Sequence, residues 1–316
     1  MSHHPTARPA RSRRRARVAA LGATAALALA VSACGSSDDS SSTTTTAAPD
    51  AASTTEAAGA ASAENAVTVT SPGMSYEVSG TLQPGTATLT FRNDDDVAHM
   101  LAMARLQDGV TLDQVRTALD KGEEEAAKLL AEPPDQAVYG SPAPVGPGLS
   151  STTTMVDLPA GHYALLCFFT TDDGTPHFQA GMVSELTVEG DEVTGTPDSD
   201  GTIELTDDAI TLPDDFDGHG TFAVTNTGSA AHSMSIAKLD DGTTLDEYFQ
   251  AVGQAQSSGK AMDVDGGVLD GGVDALLPDQ TTYLTLDLEP GHYGYVSVED
   301  ANGPGMPAQH GEFDVS

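Results

Sequence analysis

The chain has 316 residues, 13 Lys and Arg against 47 Asp and Glu, and a formal net charge of -34. Such a surface repels phosphate backbones, which excludes nucleic acid as a partner. Six of the basic residues (Arg8, Arg11, Arg13, Arg14, Arg15 and Arg17) fall in the first seventeen positions, so the rest carries 7 basic groups against 47 acidic ones. With 32 Gly, 18 Pro and no Trp, the composition predicts a turn-rich chain of about two domains.

The arginines precede a fourteen-residue apolar run, Val18 to Val31, which is too short to span a membrane and is placed as in a secretion signal. Val31-Ser32-Ala33-Cys34 resembles a bacterial lipobox. The resemblance implies cleavage that removes residues 1–33, lipidation of Cys34, and an extracytoplasmic protein anchored to the cell membrane. From Gly35 to Asn65, 22 of 31 residues are Ser, Thr or Ala and none is large and apolar. Burial cannot offset the ordering entropy of such a segment, so residues 34–65 are predicted to be a disordered tether.

Beyond the tether, short runs alternating apolar and polar residues predict strands at Ala66–Thr70, Ser75–Ser79, Thr86–Phe91 and Met100–Leu106. Leu112, Val115, Leu119, Ala126, Leu129 and Leu130 then recur near helical spacing and predict one helix from Leu112 to Ala131. A crossing rich in Pro and Gly, Pro133 to Gly148, leads to strands at Thr152–Leu158, His162–Phe169 and Met182–Val188. The same order then repeats. HMLAMARLQDGVTLD from His99 aligns with HSMSIAKLDDGTTLD from His232 at a constant offset of 133, and Asn93 aligns with Asn226. Leu158 to Tyr163 aligns with Leu288 to Tyr293 at an offset of 130. The chain is therefore read as two copies of one unit, residues 66–190 and 202–316, joined by a linker at 191–201. The helix of the second copy, Leu245 to Gln256, is expected to be the shorter. The predicted fold class is all-β: two tandem Greek-key β-sandwiches, each with one inserted helix.

Once Cys34 is lipidated, Cys167 is the one remaining thiol and no intramolecular disulfide can form. It opens the segment CFFTTDDGTPHFQAGM, which supplies His177 and Met182, while His99 comes from an earlier strand. Two imidazoles, a thiolate and a thioether are the donor set of a blue copper centre. A small buried Cys that only packs is the alternative reading. The segments FRNDDDVAHML and GHYALLCFFTTDDGTPHFQAGMVSELTV resemble the two ligand regions of cupredoxins. The resemblance covers nearly all of 66–190 and, through the internal repeat, 202–316. It implies two cupredoxin-like domains, one copper held by His99, Cys167, His177 and Met182, and transfer of single electrons. Two departures stand out. Met100 follows His99 where many cupredoxins place a polar residue, and Leu166 and Phe168 flank Cys167 where nitrite reductases and multicopper oxidases place histidines. Oxidase or reductase chemistry is therefore not expected, and the chain is expected not to be an enzyme.

In the second copy Ser297 takes the place of Cys167, so the copy is read as degenerate, with His232, Met306 and His310 as a conceivable weak second site. His162 and His292 open the same strand in both copies and are expected to be structural, as are Met100, Met103 and Met234. The acidic runs Asp94 to Asp96, Glu123 to Glu125 and Asp214 to Asp217 are expected to be solvated turns. The function expected is electron exchange with a basic redox protein, entering through a partly exposed His177. A copper-storage lipoprotein and a metal-free surface module are the alternatives.

Overall fold

The computed structural model describes residues 65–261, 264–297 and 309–316. The signal segment, Cys34, the tether up to residue 64 and Met306 lie outside the described residues.

The first copy runs through strands β1 (Ala66–Ser71), β2 (Glu77–Ser79), β3 (Gly85–Asn93) and β4 (Ala102–Arg105), then helices α1 (Leu112–Leu119) and α2 (Glu123–Ala127). It closes with β5 (Ser150–Leu158), β6 (Gly161–Leu166), the single turn α3 (His177–Ala180) and β7 (Val183–Val188). The second copy contains β8 (Gly201–Leu205), β9 (Ile210–Thr211), β10 (His219–Asn226), β11 (His232–Leu239) and α4 (Leu245–Ser258). It ends with β12 (Gly267–Leu276), β13 (Thr281–Asp287), β14 (Gly291–Val296) and β15 (His310–Val315). Among the described residues no helix is long and apolar enough to cross a membrane.

Each copy is a sandwich whose layers follow from period-two burial. In β1 and β3, which pair in parallel, Val67, Val69, Ala87, Leu89 and Phe91 point into the core. The intervening threonines face outward and bond across strands: Thr88 to Thr154 and Thr90 to Thr152, both at 2.9 Å. The second copy repeats the device with Thr221 to Thr285 at 3.1 Å and Thr225 to Thr281 at 2.9 Å. Cross-strand Thr pairs of this kind stabilise a solvated sheet face.

Three expectations are corrected. Asn65, assigned to the tether, is buried: its amide donates to the carbonyls of Gln83 (2.9 Å) and Thr86 (2.8 Å), so order begins one residue earlier. The single helix Leu112 to Ala131 is two, because the chain turns at Gly122, the N-cap of α2, and glycine is a poor helix former. The second copy's helix is the longer rather than the shorter, 14 residues in α4 against 8 in α1, since it meets no turn before Gly259.

The two sandwiches are fused rather than merely linked. β5 pairs antiparallel with β13, so the sheets β2-β1-β3-β5 and β13-β10-β8-β9 become one sheet of eight strands. This pairing removes two open sheet edges from solvent. The crossing segment 140–146 makes a second seam along β12: Gly140 N–H to the Ala275 carbonyl (3.0 Å), Ala143 to Gly272 (3.1 Å) and Gly146 to Leu269 (2.7 Å). One apolar cluster accordingly contains Cys167 and Met182 together with Leu239, Leu245, Tyr248 and Leu269 of the second copy.

Asp270 sits on this seam, bridged to Val145, and burial pushes its carboxyl up to about 6 from 3.8, eased by Lys238. A folded-state acid raised in this way favours folding below about pH 4 and loses that advantage as pH rises through about 6. Asp270→Asn should therefore raise stability by about 1–3 kcal/mol at pH 8 and by almost nothing at pH 4. Thermal melts at the two pH values check this; equal shifts at both would contradict it.

Candidate metal centre

Cys167 follows directly on β6, and its backbone is held from both sides. Its N–H donates to the Met182 carbonyl (3.4 Å), and its carbonyl accepts from Phe178 N–H (3.0 Å). The long loop to His177 closes on itself through Thr171 N–H to the Thr175 carbonyl (2.9 Å) and Gly174 N–H to the Thr171 carbonyl (2.8 Å). His177 N–H returns to the Phe169 carbonyl at 2.8 Å, which brings its ring over the thiol. After the single turn α3, Gly181 adopts φ +132°, and a Cβ there would lie 2.8 Å from the Met74 carbonyl oxygen. A residue without Cβ is required to turn the chain back so that Met182 enters the core.

His99 arrives from the other side. Asn93, at the end of β3, is fully buried and its amide donates to the carbonyls of Val97 (2.8 Å) and Val145 (3.2 Å), while its oxygen accepts from Asp95 N–H (3.0 Å). The backbone of His99 then exchanges two bonds with Val145, both 3.0 Å. Val145 belongs to the seam with β12, so the second copy helps to hold this ligand loop. Asn226 repeats the device in the second copy, donating to Ala230 (2.8 Å) and Leu276 (2.7 Å).

The result is a convergence of three donors. His99 Nδ1 lies 3.1 Å from His177 Nδ1, and Cys167 Sγ lies 3.4 Å from His177 Nδ1 and 3.9 Å from His99 Nδ1. Three ligands about 2.0–2.3 Å from one ion must be spaced in just this range, so the residues fit a metal. Exposures of 0%, 0% and 2% for His99, Cys167 and His177 make the site dry. Met182 is equally buried, and its main chain bonds to both Cys167 and His177. Among the described residues this is the one group of three or more His, Cys, Asp or Glu gathered closely enough to hold an ion.

The protonation states suit ligation. Burial, reinforced by the neighbouring His99, pushes His177 down to about 4. Burial likewise lowers His99, against the opposing pull of Asp95. Both rings are neutral at pH 7, with lone pairs to offer. Burial pushes the free Cys167 thiol up to about 11, opposed by hydrogen bonds from the backbone of Met100 and Phe169. Met100, which departs from the cupredoxin pattern in its side chain, meets the sulfur through its backbone. Tyr76 donates its hydroxyl to the Met100 carbonyl.

The remaining sequence expectations divide. Met103 and Met234 are core residues, and His162 and His292 are surface residues paired with Glu185 (3.1 Å) and Asp314 (2.8 Å). His177 is not partly exposed; it is buried beneath a cleft lined by Met74, Val97, Ala180 and Ala261 with Asp172 and Asp173. In the second copy His232 is buried and His310 is exposed at the start of β15, and the residue facing His232 is one the sequence reading missed. Gln309 Nε2 lies 3.3 Å from His232 Nδ1. Ser297 N–H donates to the Gln309 carbonyl at 3.0 Å, as Cys167 N–H does to Met182, so Gln309 occupies the place of Met182. Ser297 Oγ accepts from Ser233 N–H at 3.2 Å, the position of the Met100 contact to sulfur. At these two positions a hydroxyl and an amide stand where the first copy has a thiol and a thioether. Asp95 was also missed: read as part of a solvated turn, it bonds to His99 Nε2 at 2.9 Å. Its signal was hidden because the corresponding position of the second copy is Gly228.

Tandem Greek-key sandwiches, with a thiol just past one strand and two imidazoles gathered on it at the loop end, decide the architecture. The fold is cupredoxin-like. No protein-family profile and no curated protein matches the chain. Among solved structures it is similar to dithionite-reduced auracyanin from Roseiflexus castenholzii, at 23% identity over 41% of this chain and 100% of that one, TM-score 0.29. It is also similar to a multicopper oxidase, at 15% identity over 79% of this chain and 88% of that one, TM-score 0.21. A Cu-containing nitrite reductase from Thermus scotoductus matches at 12% identity over 79% and 61%, TM-score 0.21. The two structures that cover 79% of this chain are named as enzymes, which stands against the expectation, drawn from the residues flanking Cys167, that the chain is not one.

Proposed function

We propose that the chain holds one copper ion between His99, Cys167 and His177, with Met182 as fourth donor, and passes single electrons through it outside the cytoplasm, tethered by a lipid on Cys34. The observation that supports this is the convergence of two Nδ1 atoms and one thiol sulfur within 4.8 Å in a dry core. Copper, when bound, supplies a one-electron couple. The chain's part is to keep the donors fixed in both oxidation states: Asn93 locks the His99 loop, and the backbone bonds of Cys167, His177 and Met182 lock the other. The cleft above His177 offers apolar Met74, Val97 and Ala180 for close contact, with Asp172 and Asp173 at its rim. That pattern suits a cationic redox partner, whose association slows as salt rises.

Adding copper(II) to the soluble chain should give one equivalent of tight binding and an intense visible thiolate-to-copper band; absence of the band defeats the reading. A second expectation follows from the thiol. Since burial holds it protonated at neutral pH, ligation as thiolate must release close to one proton at pH 7. Calorimetry in buffers of differing ionisation enthalpy counts that proton, and a count of zero would contradict sulfur ligation.

A further inference from the structure

We propose that Asp95 is a positioning residue of the metal centre: its carboxylate fixes which nitrogen of His99 faces the ion and places a negative charge one imidazole away from it. This rests on the copper reading above. His99 is fully buried, with Nε2 at 2.9 Å from Asp95 Oδ2 and Nδ1 turned toward Cys167 and His177. A neutral imidazole carries one N–H and one lone pair, and an ionised carboxylate only accepts. The proton must therefore sit on Nε2, leaving the Nδ1 lone pair pointed at the ion. Asp95 is fixed in place: its Oδ1 accepts from Asp96 N–H at 2.8 Å while its Oδ2 meets the His99 ring. Its own N–H is bound to Asn93 Oδ1, so the residue that closes the loop also aims the carboxylate.

The second copy makes the same contact from another chain position. His232 Nε2 lies 3.0 Å from Asp207 Oδ1, and Asp207 is held by Ser229 N–H (2.7 Å) and Oγ (2.8 Å). Gly228, at the place of Asp95, makes this possible, since a Cβ there would come within 2.6 Å of both Asp207 Oδ1 and His232 Nε2. Two unrelated positions thus deliver a carboxylate to the same ring nitrogen. In the first copy that ring faces a thiol, and the added charge favours copper(II) over copper(I). Asp207 serves as the internal control, because its histidine faces the Gln309 amide instead.

The test uses the full soluble chain and the variants Asp95→Ala, Asp95→Asn and Asp207→Ala. Without metal, imidazole nitrogen shifts should report a proton on Nε2 of His99 in the parent and a tautomer mixture in Asp95→Ala. With copper, Asp95→Ala should bind copper(II) about 10–100-fold more weakly and have a higher reduction potential. Asp95→Asn, which keeps an acceptor but no charge, should show the raised potential with a smaller loss of affinity. Asp207→Ala should leave both unchanged. Unaltered tautomer, affinity and potential in Asp95→Ala, with a parent that binds copper normally, would overturn the inference. A parent that binds no copper would instead defeat the copper reading.

Discussion

Cys167→Ser is expected to abolish the visible band completely and to lower copper(II) affinity by at least about a hundredfold, while the chain stays folded. The second copy shows why the fold survives: Ser297 stands at the same position, buried, with its Oγ accepting from Ser233 N–H at 3.2 Å. The backbone bonds that fix Cys167 do not involve its side chain, so a hydroxyl can occupy the place of the sulfur. What is lost is the soft, charged donor that sets affinity and colour for copper among nitrogen ligands. Titration with copper(II), followed by absorption and by circular dichroism, separates the two effects. A serine variant that retains the band would show that the sulfur is not a ligand.

Gly272→Ala should be among the most damaging single substitutions in the described part of the chain. Gly272 adopts φ +114°, and a Cβ there would lie 1.9 Å from the Met234 carbonyl oxygen, a backbone atom that cannot step aside without breaking the β11–β12 pairing. Both its polar groups also serve the seam between the copies. Its N–H donates to Ser151 Oγ at 3.2 Å, and its carbonyl accepts from Ser151 Oγ and from Ala143 N–H, each at 3.1 Å. A clash combined with lost buried bonds places the cost above about 3 kcal/mol, a fall in melting temperature of roughly 6–12 °C for a chain of this size. Gly109→Ala is the comparison. Its φ is +80° with nothing within 4 Å of a Cβ, so only the backbone strain of about 1–2 kcal/mol is expected. Equal losses in the two variants would mean that the seam tolerates being opened.

Much of this fold could be read from residue order. The alternation of Val67, Val69, Leu89 and Phe91 with threonines gave the strands, and the recurrence of Asn93, His99 and Gly161-His162-Tyr163 gave the duplication. His99, Cys167 and His177 were legible as a group because few arrangements need a thiol and imidazoles in one unit that lacks a disulfide partner. Other features depend on contacts between segments remote in sequence. No local pattern announces that β5 pairs with β13, or that segment 140–146 lies along β12, since each strand alone looks complete. Gln309 escaped notice because the loop before it differs in length from its counterpart, which hides the match to Met182. Asp95 escaped because an acidic residue in an acidic run carries no distinguishing signal until its carboxylate is seen against His99 Nε2.

The fused architecture gives the second copy a definable part in the first copy's chemistry. Val145 bonds to His99 on one side and bridges Asp270 on the other, and Thr170, in the ligand loop, donates its hydroxyl to the Lys260 carbonyl at 2.9 Å. Both ligand-bearing segments are therefore braced by a domain that has lost its own thiol. On the copper reading proposed above, such bracing would hold the donors in place between oxidation states.

X-ray absorption at the copper edge of the loaded chain tests the central claim most directly. The account predicts one short sulfur and two imidazole nitrogens around each copper, with the sulfur contribution absent in Cys167→Ser. A coordination shell of nitrogen and oxygen alone in the parent chain would contradict it.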